Sequence, residues 1–369
     1  MKFSCTKEKL TNSLSIAERF TGKNITLPIL GNVLLNGGEN YLKITATNLE
    51  YAVQVTLTGK GSKNGEVSIP AKVVTSLLQS IHDDRIDLEE KQGNLYLKTA
   101  SSRESKINGL PPADFPNFPQ IKKTNTFLVG SHALREALER VLPAVSSSEF
   151  KPEFTGIFCK VGTTALCLVA TDTFRLAEEK ISLPQKINTP SFSFILPRNV
   201  AQELTRILGE EESVSVSVGE NQVLFETGGV RIISRLIDGN FPEYGAIIPV
   251  QYEMTSFLNK DELKNAIRAS SIFASKLSEV NLTFQDKILQ ITSSNPEVGE
   301  YKTSIPIKNT AFKKPIAINF NHRYLMDGIN SLTEDEIFFG CNSENTPSLL
   351  RNREGDSFTY VVMPIRATT

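Results

Sequence analysis

Few residues of this sequence are placed to do chemistry. The three histidines, His82, His132 and His322, stand far apart and lack the spacing of a metal site. The most polar candidates are Asp172 and Arg175, which follow an apolar stretch and could line the cleft of a metal-independent hydrolase or transferase. An aspartate at a strand end is as often a turn residue. The sequence has no nucleophile elbow, P-loop or dinucleotide-binding motif, so the enzymatic interpretation is weak.

Composition narrows the class of protein. The 369 residues are 40% hydrophobic and 22% charged, as in ordinary globular proteins, and no apolar run approaches the ~18 residues of a membrane span. The N-terminal stretch does not look like a signal sequence. Four cysteines without a CxxC pair indicate reduced thiols in the cytoplasm, and neither a metal nor a cofactor is expected. With a net charge of −1, contacts to nucleic acid would have to come from local patches.

The elements that position these residues recur along the chain. Residues 41–48 read YLKITATN, residues 165–172 read ALCLVATD, and residues 288–295 read ILQITSSN. Their polar corners, Asn48, Asp172 and Asn295, follow one another at intervals of 124 and 123 residues. A fixed interval of this size indicates repeated structural units. We therefore predict three similar domains, at residues 1–122, 126–248 and 251–369.

Each repeat shows the pattern of two helices and several strands. Apolar residues at helical spacing predict first helices over 8–20, from 131 and from 261, and second helices over 70–81, 197–208 and 321–332. Alternating stretches, beginning with residues 29–35, predict about eighteen antiparallel strands. Pro70 and Pro197 are expected in the first turns of their helices. The fold class predicted is α+β, with two helices packed on antiparallel sheets in each domain.

Cations recur near the starts of the second helices. Lys72, Arg198 and the pair His322 and Arg323 occupy these positions. A cation at a helix start opposes the helix dipole, so its repetition suggests an external anion. Phosphate groups would serve, and such contacts would be independent of base sequence and sensitive to salt. Any one of these cations is also consistent with an ordinary solvated helix face.

The C-terminal stretch, YVVMPIR at residues 360–366, keeps alternating apolar residues before a proline and an arginine. It is either a final core strand or an apolar contact surface in which Met363 and Ile365 adapt to a partner. The sequence leaves both interpretations open.

Several phrases together resemble one family, the bacterial sliding clamps, or beta subunits of DNA polymerase III. They are TLPILGN at 26–32, LPPADFP at 110–116, ATD at 170–172, FPEY at 241–244, NPE at 295–297 and the terminal YVVMPIR. The resemblance covers the whole chain. It implies the DNA-clamp fold and a head-to-tail homodimer closed into a ring, with helices lining the hole. Such a ring encircles duplex DNA without reading its sequence and has no active site.

The resemblance also implies partners and the residues that bind them. The family's partners are the polymerase III alpha subunit, the clamp loader, other polymerases and repair proteins, which bind through short peptides with apolar anchors. Carried onto this sequence, the peptide pocket comprises Phe154, Thr171, Thr173, Phe174, Arg175, Leu176, Pro242, Ile247, Pro347, Val361, Met363, Pro364, Ile365 and Arg366. The implied DNA-facing residues are Lys23, Asn24, Lys72, Arg198 and Arg323, and the implied dimer contact joins the strand around Ser105 and Ile107 to the region of Ile272 and Phe273.

This sequence departs from the family pattern inside the implied pocket. The family commonly has Gly-His where this chain has Thr173 and Phe174, and often a basic residue where Ala246 stands. The pocket should therefore be more apolar than usual, with a different peptide preference. A monomeric adaptor that binds peptides without encircling DNA remains an alternative.

Overall fold

The structure is a computed structural model that describes residues 1–22, 27–209, 212–285, 287–311, 314–354 and 357–366. Six α-helices lie in these ranges, two in each repeat, as predicted. They are Lys7–Glu18 (α1), Ala71–Ser80 (α2), Ser131–Val141 (α3), Arg198–Ile207 (α4), Lys260–Ser270 (α5) and His322–Ser331 (α6).

Strands make up most of the remaining described chain. The first repeat contains Lys2–Thr6 (β1), Asn32–Gly37 (β2), Tyr41–Thr47 (β3), Tyr51–Thr58 (β4), Lys60–Lys63 (β5), Gly65–Pro70 (β6), Arg85–Lys91 (β7), Asn94–Thr99 (β8) and Glu104–Ile107 (β9). The second contains Asn125–Gly130 (β10), Gly156–Val161 (β11), Ala165–Thr171 (β12), Arg175–Ser182 (β13), Phe192–Pro197 (β14), Ser213–Val218 (β15), Gln222–Thr227 (β16) and Val230–Arg235 (β17). The third contains Met254–Asn259 (β18), Glu279–Gln285 (β19), Ile288–Asn295 (β20), Gly299–Pro306 (β21), Lys308–Ala311 (β22), Ile316–Asn321 (β23), Glu336–Cys341 (β24), Ser348–Asn352 (β25) and Phe358–Val362 (β26).

The predicted number of strands was too low, mainly because a short strand leads directly into each helix; β5 and β22 were missed as well. No turn residues separate the two elements, so the sequence pattern of the strand merged with that of the helix. Pro70 and Pro197 illustrate this error, since they end strands β6 and β14 instead of lying in the first turns of α2 and α4. The strand predicted over 29–35 was also placed too early. Residues 28–31 form a 3-10 turn, and the strand begins at Asn32.

The first compact unit comprises Met1–His132 and Arg206–Leu236. It contains a five-stranded sheet in the order β5-β1-β7-β8-β9 and an eight-stranded sheet in the order β10-β15-β16-β17-β4-β3-β2-β6. In the larger sheet, β17 of the second repeat pairs antiparallel with β4 of the first, from Val230 opposite Val55 to Ser234 opposite Tyr51. Strands of two repeats thus share one sheet.

The second compact unit comprises Ala133–Thr205 and Ile237–Thr369. It contains a nine-stranded sheet in the order β14-β11-β12-β13-β26-β25-β24-β18-β22 and a four-stranded sheet in the order β21-β20-β19-β23. Here β13 of the second repeat pairs antiparallel with β26 of the third, from Arg175 opposite Val362 to Glu179 opposite Phe358. The α+β architecture with two helices per repeat on antiparallel sheets is confirmed.

The helices bury one apolar face each, as their spacing predicted. On α1, the side chains of Leu10, Leu14 and Ala17 are fully buried. On α6, Gly328 allows close packing, because a Cβ atom there would lie only 2.5 Å from the ring of Tyr360. The Tyr360 hydroxyl also donates a hydrogen bond to the backbone oxygen of Tyr324 at 2.8 Å. Helix α6 is therefore held closely against β26.

The polar corner after β12 is a network of side-chain to backbone hydrogen bonds. The Thr171 hydroxyl donates to the Arg175 oxygen at 2.6 Å and accepts from the Thr173 N–H at 3.1 Å. Asp172 Oδ1 accepts from the N–H groups of Phe174 and Arg175, both at 3.0 Å. These bonds turn the chain from β12 into β13 and hold Thr173 at a φ of 77°.

The corner after β3 has the same bonds. The Thr47 hydroxyl donates to the Tyr51 oxygen and accepts from the Leu49 N–H, both at 3.0 Å. Asn48 Oδ1 accepts from the N–H groups of Glu50 at 3.0 Å and Tyr51 at 2.9 Å. Leu49 has a φ of 76°, within one degree of its counterpart Thr173. The turn role that the sequence offered for Asp172 is thus confirmed, and Asn48 has the same role.

The corner after β20 is built differently. Asn295 Oδ1 still accepts from the Glu297 N–H at 3.0 Å, but its amide donates to the Ala274 oxygen at 3.3 Å. Ser293, which stands where the other repeats have Ala46 and Ala170, donates to the Ser270 oxygen at 2.6 Å. The third corner therefore bonds to the end of α5 and the turn that follows it, and only two of the three repeats share the complete corner.

The strained backbone at Thr173 gives a test of this corner. A β-branched residue rarely adopts a positive φ, and Thr173 is exposed and so contributes little packing. We expect Thr173→Gly to raise the free energy of unfolding by about 1 kcal/mol, since glycine adopts this conformation without strain. Urea denaturation would measure the change. Thr173→Ala is the matched control and should stabilise less, and a glycine variant no more stable than the alanine variant would contradict the strain.

Candidate functional site

The corner after β12 and the C-terminal segment meet in the second unit. Beyond the last paired residue of β26, the Met363 N–H donates to the Phe174 oxygen at 2.8 Å. Two residues later, the Ile365 N–H donates to the Asn319 oxygen of β23 at 2.7 Å. The strand itself ends at Val362, so residues 363–366 form an irregular segment tied to two different elements. The core-strand interpretation of the chain end is therefore confirmed for residues 360–362, and the contact surface at Met363 and Ile365 stays a prediction.

An apolar floor lies beneath this meeting point. Its buried residues come from both repeats and pack together: Val169, Leu176, Phe338, Leu349 and Val361. The connector between the second and third repeats crosses it, with Phe241, Tyr244 and Ile248 packed against the cluster. The packing of these three side chains holds the connector against the sheet.

Two cavities lie at this meeting point, and the larger one reaches the floor at Leu176 and Val361. The larger one has a volume of about 520 Å³ and is lined by Phe154, Thr171, Thr173, Arg175, Leu176, Pro242, Tyr244, Ala246, Ile247, Pro249, Asn342, Thr346, Pro347, Val361 and Met363. The smaller one has a volume of about 470 Å³ and is lined by Thr173, Phe174, Leu277, Asn321, Tyr324, Met363, Pro364, Ile365 and Arg366. Thr173 and Met363 line both cavities.

All fourteen residues of the pocket implied by the resemblance line one of these cavities. The residues that the resemblance did not supply come mainly from the third repeat and the connector, namely Leu277, Asn321, Tyr324, Asn342, Thr346, Tyr244 and Pro249. The sequence located two of these residues without assigning them to the pocket. Asn321 and Tyr324 lie at the start of the predicted helix over 321–332.

Arg175 organises the charged part of the site. Its Nε donates to Asp172 Oδ2 at 2.9 Å, its Nη1 bonds to Asp327, and its guanidinium lies 4.4 Å from the ring centroid of Tyr324. Burial alone would lower the pKa of Arg175, but Tyr360 and the two carboxylates outweigh it and raise the pKa above its ordinary value. The guanidinium therefore stays charged and links the corner to α6.

These contacts argue against the hydrolase or transferase interpretation. One oxygen of Asp172 accepts two backbone N–H groups, and the other accepts from Arg175. A carboxylate held in this way stabilises a turn and an ion pair and is poorly placed to act as a general base. Among the residues that the structure describes, no cluster of histidine, cysteine or carboxylate side chains could hold a metal ion.

A polar network anchors the connector to the sheet. The Tyr244 hydroxyl donates to Glu178 Oε2 at 2.7 Å, and Lys180 Nζ lies 2.8 Å from Glu178 Oε1. Cys167 Sγ lies 3.7 Å from the same hydroxyl. Burial, with Glu178 adding to it, raises the pKa of Cys167 to about 11 and also raises the pKa of Tyr244. Tyr244 therefore stays protonated and can donate to the carboxylate.

The predicted DNA-facing cations occupy equivalent helix starts. Lys72 on α2 and Arg323 on α6 are exposed, and Arg198 on α4 is half-buried. Within the described ranges none of the three has an ion-pair partner. His322, beside Arg323, has its pKa lowered by burial and by that charge. Lys23 and Asn24 lie outside the described residues.

The predicted dimer residues differ in accessibility. Ile272 is 68% exposed in a 3-10 turn after α5, and Phe273 stacks on Tyr301 with ring centroids 6.0 Å apart. Ser105 is half-buried, whereas Ile107 is only 5% exposed and packs inside its own unit. Ile107 can therefore offer only its backbone to a partner. No helix of the described chain has the length and apolar character needed to cross a membrane.

Comparison with known proteins agrees with this geometry. Family models for the N-terminal, central and C-terminal domains of the DNA polymerase III beta subunit match residues 1–119, 129–243 and 246–366. The beta sliding clamp of Synechocystis is 30% identical over 392 aligned residues, which cover 99% of each chain.

Solved structures give the same result. The crystal structure of the Pseudomonas aeruginosa DNA polymerase III subunit beta superposes with a TM-score of 0.93 at 26% identity, covering 99% of this chain and 100% of that one. The Thermotoga maritima beta subunit, at 24% identity and a TM-score of 0.92 over both complete chains, supports the fold. These similarities confirm the three-domain clamp fold and the absence of an enzymatic role. This chain belongs to the DNA polymerase III beta subunit family, the sliding clamps of bacterial DNA replication.

Proposed function

We propose that this protein forms a homodimeric ring around duplex DNA and tethers the replicative polymerase through the two cavities of the second unit. Each chain would contribute three domains, at residues 1–122, 126–248 and 251–369. The polymerase III alpha subunit, the clamp loader and other polymerases and repair proteins would bind through short peptides. No cofactor is needed, and the protein would act in the cytoplasm.

The recurrence of cations at equivalent helix starts carries the DNA-binding part of the proposal. Lys72, Arg198 and Arg323 stand at the first or second residue of equivalent helices, where a cation is slightly unfavourable. Phosphate groups would offset this cost. Because these side chains would meet only the DNA backbone, the contact would slide along any sequence and weaken with salt.

Free strand edges support closure by a second copy. β9 ends one sheet of the first unit and β21 ends one sheet of the second, and in the described chain neither has a strand on its outer side. Each edge carries side chains of both signs. These are Glu104 and Lys106 on β9 and Glu300 and Lys302 on β21. Since residues 271–273 form a 3-10 turn, the strand that would pair with β9 is β21, with Ile272 packing beside it.

The cavities suit a peptide with apolar anchors. Met363 lines both, so one extended peptide could place successive side chains on either side of it. Phe174 is 58% exposed and stacks on Tyr324 with ring centroids 6.4 Å apart, which gives the smaller cavity an aromatic wall. Ala246 stands in place of a basic residue, and Thr173 and Phe174 stand in place of Gly-His. This chain should therefore prefer a more apolar peptide than clamps with the usual residues.

Topological linkage to DNA is the central test. Protein loaded by its clamp loader onto a nicked circular plasmid should remain bound through gel filtration and should dissociate when the plasmid is cut once, because a sliding ring runs off a free end. The uncut plasmid is the control. Retention of the protein on linear DNA would contradict the sliding function and indicate ordinary affinity.

Truncating the shared wall of the cavities should weaken peptide binding. We expect Met363→Ala combined with Pro364→Ala to reduce the affinity for the clamp-binding peptide of the cognate polymerase by about tenfold or more, since a central anchor contact is lost. Isothermal titration would measure this, and the mass in solution should not change. Thr359→Ala, on β26 but outside both cavities, is the matched control. An unchanged affinity in the double variant would contradict the site.

The oligomeric state separates a ring from a monomeric adaptor. Sedimentation of the intact protein should give about twice the 40.8 kDa of one chain. We expect Ile272→Asp with Phe273→Asp to yield monomers, because two carboxylates would be buried without partners. Val250→Asp, which also alters an exposed apolar residue, should leave the dimer intact. A wild-type monomer, or a dimer that survives the double substitution, would contradict the proposed interface.

A further inference from the structure

The first unit contains a cavity of about 300 Å³ in a position equivalent to the peptide cavities of the second unit. It lies beside the corner after β3, and its lining includes Leu49, Glu50, Tyr51, Pro116 and Arg235. Nothing in the proposed clamp function uses this cavity.

The backbone around this cavity repeats that of the candidate site. Tyr51 and Ala52 of β4 pair with Ser234 and Ile233 of β17, as Arg175 and Leu176 pair with Val362 and Val361 in the second unit. One residue beyond the last pair of the ladder between β4 and β17, the Arg235 N–H donates to the Glu50 oxygen at 3.0 Å. The bond from Met363 to Phe174 is its counterpart.

The floor is repeated as well. Ala52, Leu224 and Ile233 form a buried apolar cluster, and Phe118 and Ile121 of the proline-rich connector pack against it. Leu224 lies opposite Ile233 in the ladder between β16 and β17. In the second unit, Leu349 lies opposite Val361 in the same way, and a proline-rich connector covers that cluster too. The cavity of the first unit and the larger cavity of the second unit therefore each lie between an apolar floor, a strained corner and a connector.

The lining side chains differ in chemistry. Arg235 occupies the place of Met363, and Glu50 occupies the place of Phe174. Arg235 is exposed and has no ion-pair partner in the part of the chain that the structure describes. The cavity thus combines an apolar floor with an available cation, and Glu50 stands where the second unit has the aromatic ring of Phe174.

We propose that this cavity is a second peptide-binding site, which takes an extended segment carrying one acidic side chain next to an apolar one. The apolar side chain would rest on Ile233 and Pro116, and the acidic group would pair with Arg235. The site would select different peptides from the cavities around Met363, which lack a free cation at this position. This inference goes beyond the proposed function and does not depend on ring closure.

Photo-crosslinking with a defined peptide tests the site. The probe is acetyl-Gly-Asp-photoleucine-Val-Gly-amide, irradiated with the full-length protein and mapped by mass spectrometry. We expect labelling within residues 47–52 or 233–235, and a loss of about tenfold when Arg235→Glu removes the charge-assisted contact. Met363→Ala should leave this labelling unchanged.

A charge exchange makes the result independent of damage to the fold. The probe with lysine in place of aspartate should label the Arg235→Glu variant about as well as the original probe labels the wild type, which a misfolded variant could not do. Labelling confined to the cavities around Met363, labelling insensitive to Arg235→Glu, or no labelling at millimolar probe would each overturn the proposal. None of these outcomes bears on the plasmid test of the clamp itself.

Discussion

Two interstrand ladders determine the geometry on which the function depends. One pairs β4 with β17 and the other pairs β13 with β26, so that each joins neighbouring repeats within a single sheet. A shift of one residue in either ladder would move every side chain to the opposite face. The ladders therefore decide together which residues form the floors of the cavities and which segment passes each corner.

The polar corners show how a short motif serves structure first. In two repeats a threonine and an aspartate or asparagine satisfy the backbone of the turn and hold the next residue at a positive φ. Strain of this kind persists only where surrounding contacts over-determine the backbone, and it is common at binding sites. Here the corner ends one strand, begins the next and leaves space at the sheet edge. The aspartate that looked catalytic in the sequence serves this turn.

A clamp needs geometry more than reactive groups, and the charges reflect this. Many ion pairs of the described chain are solvent-exposed and contribute little to stability. The more buried cluster around Arg175 instead ties a corner to α6. Since that helix also carries Arg323, one ion-pair cluster connects the walls of the peptide cavities to a candidate phosphate contact. The Arg175 cluster therefore holds in place the helix that carries both Tyr324 of the smaller cavity and Arg323.

The sequence by itself determined the repeats, the six helices and the corner chemistry, because these follow from local periodicity and short-range hydrogen bonds. It also carried the family motifs, among them the corner and the chain end that meet at the cavities. Only the tertiary structure decided which residues of the third repeat complete the lining of the cavities. Leu277 and Tyr324 are examples, since strands distant in sequence bring them next to the corner and the chain end. The same limit concealed the short strands before each helix and the burial of Ile107, which depend on long-range pairing rather than on local pattern.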